Sequence, residues 1–142
     1  MVKNLRLPAA ADFLLEWTDN KEMFNTYYEL FVFGASYGRK FRVLDGVDID
    51  NLIIQHGKIK DPISFSYFQT EDYDDPLAII LFSHFGGDLV KFKDVGLCKQ
   101  VLEAYAQKGL EKFHDDLSEQ FMNTDPEAIS DYYEKVILNH TN

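Results

Sequence analysis

The chain has 142 residues, 46% hydrophobic and 15% aromatic, enough for one core and too short for two ordinary domains. With 14 Lys and Arg against 24 Asp and Glu the net charge is −10, which excludes a generic basic coat for nucleic acid. A single cysteine, Cys98, excludes an internal disulfide and a thiolate zinc cage.

No apolar stretch approaches the length of a membrane helix and no signal-like run opens the chain, so a cytoplasmic protein without membrane contact is expected. Residues 1–60 carry eight basic and eight acidic side chains, whereas residues 61–142 carry six and sixteen. The acidic excess therefore belongs to one part of a single domain rather than to a separate one, because no Gly-, Ser- or Pro-rich linker intervenes.

In chain order, Pro8 followed by Phe13, Leu14 and Trp17 predicts a first helix ending near Thr18. Asp19 and Glu22 have the spacing of a capping box, opening a second and central helix with Met23, Tyr27, Leu30, Phe31, Gly34 and Ala35 on its apolar face. Gly38 is placed as its left-handed cap.

Val43, Leu44, Val47 and Ile49 around Asp45-Gly46 allow a small hairpin, Asp50–His56 one or two helical turns, and Ile63, Phe65 and Tyr67 a short strand. Asp75 and Pro76 start a helix whose Leu77, Ile79, Ile80, Leu81 and Phe82 are apolar nearly all round, the pattern of a deeply buried helix, and Gly86-Gly87 end it. After Asp94 a long helix carries Leu97, Val101, Leu102, Tyr105, Gly109, Leu110, Phe113 and Leu117 on one face, and Asp125-Pro126 opens a final helix through Ile137. The expected fold is mainly α: a compact bundle of about five helices with a short irregular or β-hairpin insert around residues 41–68, forming one helical domain over 1–142.

Candidate chemistry is sparse. Glu71, Asp72, Asp74 and Asp75 offer carboxylates to a hard cation but lack the alternation and central glycine of a calcium loop, so a solvated helix start is the better reading. Asp115 and Glu119 share a helical face beside Asp116 and His114, and the four histidines, His56, His84, His114 and His140, follow no ligand spacing. Cys98 occupies an apolar helical position and is assigned to the core.

The one acidic-x-Lys triplet, Asp19-Asn20-Lys21, lacks the preceding strand of a metal nuclease, and neither a serine elbow nor a phosphate-binding glycine loop occurs. No catalytic residue, cofactor or metal is assigned. Arg39, Lys40 and Arg42, interleaved with Phe41 and Tyr37, are candidate phosphate contacts, although cations also suit a helix C-terminus. Tyr28, Phe33 and Tyr37 fall off the main stripe of the second helix and are candidate partner contacts.

The stretch Tyr28 to Lys40, the segment Pro62-Ile63 to Phe68, and the stretch Val101 to Glu111 with its Gly109 together resemble the small proteins encoded beside DNA phosphorothioation genes, the Dnd system-associated protein 4 family. The similarity spans residues 20–120 and rests on helix patterns with glycine landmarks; the acidic extension past Asp115 departs from it. The resemblance implies a prokaryotic DNA modification and anti-phage defence context and an accessory role in it, with no catalytic residues to carry over.

Three functions follow as expectations. The first is a non-enzymatic adaptor that binds other proteins, DNA modification or restriction subunits or a second copy of itself, without direct nucleic-acid binding. The second is an inhibitor whose acidic surface (Glu71, Asp72, Asp74, Asp75, Asp115, Asp116, Glu119) imitates DNA. The third is a metal-dependent enzyme acting on DNA.

Overall fold

The computed structural model describes residues 2–20, 23–60, 62–66 and 76–121, and helices dominate them. Strand β1 (Val2–Leu5) leads to a 3-10 turn, Ala9–Leu14, which runs into α1 (Leu15–Asp19). The expected first helix is therefore present with its first half more tightly wound. Ala11 and Leu14 face the core from it.

Helix α2 (Tyr27–Lys40) starts later than the Asp19–Glu22 spacing predicted. Its cap is Thr26, whose side chain accepts from the Glu29 N–H, while Glu29 Oε2 accepts from the Asn25 N–H at 2.8 Å. Both pairs have the same spacing, and what distinguishes them is tertiary: Asp19 ends α1 and accepts a hydrogen bond from the Tyr27 hydroxyl. Gly38 does not cap α2. The helix continues to Lys40, and the residue with left-handed backbone is Arg42, at φ 52°.

The insert is irregular, with successive turns over 41–46 in place of the hairpin, then a 3-10 turn Ile49–Asn51 capped by Asp48. Residues 52–57 run extended, and the Ala9 N–H donates to the Gln55 carbonyl at 2.7 Å, the Gly57 N–H to the Leu7 carbonyl at 3.1 Å. Strand β2 (Ile63–Ser66) pairs antiparallel with β1, Leu5 opposite Ile63, giving a two-stranded ribbon whose inner ends are buried.

Three helices follow: α3 (Pro76–His84), α4 (Leu89–Phe92), capped by Asp88, and α5 (Val95–Phe121). Gly86 and Gly87, both with positive φ, turn the chain between α3 and α4, and the Asp94 side chain accepts from the Leu97 N–H at the start of α5. The helix expected over 125–137 lies outside the described residues.

Helices α2 and α5 form the centre. A methyl group on Gly109 would stand 2.0 Å from the Gly34 carbonyl oxygen and 2.7 Å from the Gly38 nitrogen, and one on Gly38 would stand 2.5 Å from the Tyr105 carbonyl oxygen. The two backbones thus touch where three glycines meet, a separation that no residue with a Cβ permits. This close approach, rather than a cap, explains Gly38. Around it Leu30, Phe31, Tyr37, Leu102, Leu110, Phe113 and Leu117 are fully buried.

The side of α5 that faces the insert is polar. Gln100 Nε2 donates to the Ile49 carbonyl at 3.1 Å; Gln107 donates to the Ile53 carbonyl and accepts from the Gln55 N–H at 2.8 Å; and Glu103 accepts from the Arg6 N–H at 2.9 Å. These three side chains, at steps of three and four, supply hydrogen-bond partners to the insert and to the Arg6 N–H beyond the backbone bonds that the insert makes with Leu7 and Ala9.

Candidate functional site

Of the three aromatic residues expected to face a partner, Phe33 and Tyr37 are in the core and Tyr28 is half-buried. Phe33 packs against Phe24 and edge-on against Phe113, with ring centroids 5.3 and 4.8 Å apart, and Tyr37 is edge-on to Phe113 and donates its hydroxyl proton to Asp116 at 2.6 Å. The expectation of exposure fails because α2 is covered on nearly every side. Its exposed residues are Glu29, Ser36 and Lys40, a narrow strip without an aromatic ring.

The basic cluster diverges. Arg39 is half-buried and donates from Nη2 to Ser83 Oγ at 2.8 Å; Lys40 sits 5.6 Å from the centre of the Phe41 ring, which Lys112 also approaches at 5.1 Å; Arg42 is exposed in the turn. The structure does not bring the three together on one phosphate-sized site. Asp115 is exposed, and Asp116, half-buried, also accepts from Lys112 Nζ at 3.2 Å. Glu119 belongs to α5, and Glu71, Asp72, Asp74 and Asp75 lie outside the described residues.

Among the described residues no three His, Cys, Asp or Glu side chains converge as metal ligands would. His56 faces Glu103 at 3.5 Å and His114 lies edge-on to Phe13. An open cleft of about 480 Å³ between Phe41 and α5 is lined by Lys108, Glu111, Lys112, Asp115 and Asp116, and four of these five are already ion-paired, Lys108 to Glu111 and Lys112 to Asp116.

The feature that composition alone did not locate is the surface of α3 and α4. Sequence predicted α3 to be buried all round, yet only Leu77, Ala78, Ile80 and Leu81 face the core. Ile79 is 54% exposed and Phe82 50%, and on α4 Leu89 is 56% and Val90 81% exposed. Four of the six large apolar side chains exposed among the described residues thus belong to these two short helices. Phe82 and Phe92 meet edge-on at 6.0 Å and tie the helices together, while Cys98, buried on α5, donates its thiol proton to the Phe92 carbonyl and fastens α4 below. The signal in the sequence was the apolar run itself: Leu77 to Phe82, apolar on every side of the helix, followed beyond the two glycines by Leu89-Val90, has more apolar surface than one covering face can bury.

A polar group adjoins this surface. Ile79, Phe82 and Ser83 stand at steps of three and four on α3, so the Ser83–Arg39 contact marks the end of the exposed apolar row. His84 Nδ1 lies 2.6 Å from the Tyr105 hydroxyl, which α5 holds almost fully buried. Burial first, and then the nearby Arg39 and Lys91, push the His84 pKa below its ordinary 6.5, with Asp45 opposing, and burial pushes Tyr105 upward. With a neutral imidazole carrying its proton on Nε2, Tyr105 donates to Nδ1; with the proton on Nδ1 the direction reverses. Arg39 Nε is closed off from solvent and has no hydrogen-bond acceptor among the described residues, as is the case for Arg6 Nε.

Compared with protein-family models, with curated proteins and with solved structures, the chain finds no match in any of the three.

Proposed function

We propose that the protein is a non-enzymatic binding module that docks a partner protein through the outer surface of α3 and α4. One observation supports this: Ile79, Phe82, Leu89 and Val90 are each at least half exposed on two adjoining helices, held rigidly from below by Phe92 and Cys98. Apolar surface left in water on two adjoining helices is costly and is a mark of interfaces. The resemblance to the phosphorothioation-associated family adds a context, in which the partner is another protein of a DNA modification and defence system and this chain is its adaptor.

The test is comparative capture from a lysate of the native host, using the unaltered chain and an Ile79→Ser/Val90→Ser variant, with bound proteins quantified by mass spectrometry. Both positions point outward, so the variant is expected to keep its helicity and to lose only about 0.5 kcal/mol of stability. The proposal predicts specific proteins depleted about tenfold or more on the variant. Identical protein sets at identical yield would overturn it.

A further inference from the structure

We propose that the cleft between the 3-10 turn Ala9–Leu14 and α5 is a recognition site for an arginine side chain carried by a basic segment of a partner protein. The site shares no residue with α3 or α4 and does not depend on their role as a docking surface.

The space comes from small residues. The cleft holds about 490 Å³ and is lined by Ala9, Ala10 and Phe13 from the turn and by Leu110, Glu111, His114 and Asp115 from α5. Each alanine presents one methyl group where a longer side chain would close the gap. Phe13 is half-buried, and its ring meets that of His114 edge-on at 4.8 Å. Glu111 and Asp115 stand one helical turn apart, and among the described residues no Lys or Arg lines the cleft with them.

The charge there is one-sided. Asp115 is exposed and has no ion pair among the described residues. Glu111 is held by Lys108 at 3.4 Å, a surface contact weak enough to yield to a better one, and Lys112 is turned to Asp116. Two carboxylates four residues apart on a helix repel each other unless a cation lies between them. The bordering chain is acidic as well: residues 9–19 include Asp12, Glu16 and Asp19 and neither Lys nor Arg, and residues 108–121 have four acids against Lys108 and Lys112. With Lys58, whose N–H donates to Asp12, the two borders hold seven acids against three bases. A basic segment is drawn to such a locality, and to a chain of net charge −10.

Arginine suits this lining better than other cations. Its guanidinium is planar and weakly hydrated, stacks on aromatic rings and donates two parallel hydrogen bonds to a carboxylate, while its stem lies on apolar surface. A lysine ammonium, compact and strongly hydrated, matches the carboxylates but gains less from the ring and the methyl groups. The cleft is open on one side, so a free guanidinium compound would keep much of its surface in water. A side chain tethered in a segment adds the contacts of its neighbours with α5.

The test is titration of the intact chain, followed by its amide chemical shifts, with the acetylated peptide amide Arg-Ala-Ala-Ala-Arg, its lysine counterpart and free arginine amide. The arginine peptide is expected to saturate, with shifts centred on residues 9–14 and 110–115. Its affinity should fall about tenfold in Asp115→Asn and change little in Asp50→Asn, which removes the same charge from an exposed position that does not line the cleft. Phe13→Leu should bring the arginine peptide down to the affinity of the lysine one. Shifts that grow without saturating, or equal losses in Asp115→Asn and Asp50→Asn, would show attraction by net charge alone and overturn the site. Equal binding of the arginine and lysine peptides would overturn the choice of arginine, and free arginine amide binding as tightly as the peptide would overturn a protein segment as its source.

Discussion

His84 lies against the Tyr105 hydroxyl, with Arg39 and Lys91 near enough to oppose its protonation. Its folded pKa lies below the ordinary 6.5 that it takes in the unfolded chain. The unfolded state therefore binds the proton more readily, and the stability contributed by neutral His84 is present in full above pH 6.5 and is lost as pH falls from there toward the folded value. Denaturant midpoints measured from about pH 7.5 down to about pH 5 are expected to drop more steeply for the native chain than for His84→Gln. Parallel curves would show that His84 is not coupled to folding.

At the scale of elements, the α2–α5 crossing carries the fold. Gly109→Ala would drive a methyl group into the Gly34 carbonyl, and the neighbour that must yield is backbone on a helix packed along its length. A loss of about 3 kcal/mol in denaturant unfolding is expected, against a gain of up to about 1 kcal/mol from helix propensity at an open site. A loss under about 1 kcal/mol would mean that the helices can part without penalty.

The helices themselves were legible because their apolar residues recur at three and four: α3, α5 and the body of α2 fall where periodicity placed them. What periodicity could not show was which side of each helix another element would cover. Phe33 and Tyr37 lie off the main stripe of α2 and are buried because Phe24 and Phe113 close over them; Ile79 and Phe82 lie on a helix without a polar side and are exposed because nothing described covers them. The capping pair was misplaced by seven residues for a related reason, since the three-residue spacing of Asp19–Glu22 recurs at Thr26–Glu29. Strand β1 and the clasp of residues 49–57 by Gln100, Glu103 and Gln107 have no local signal, because both depend on pairings across half the chain.

For the whole molecule, a rigid two-helix centre bears a ribbon and a hydrogen-bonded insert along one side of α5, while α3 and α4 present apolar side chains to solvent. Its net charge of −10 would attract basic partners and repel acidic ones at long range, so a partner of the α3–α4 surface would be held by apolar contact rather than by net charge. The most direct measurement is amide hydrogen exchange on the chain alone and in complex with the protein captured from its native host. New protection is expected across Pro76–Phe92, with exchange at the α2–α5 crossing unchanged. Protection confined to the ribbon, the insert or the exposed strip of α2, with Pro76–Phe92 exchanging as freely as before, would contradict it.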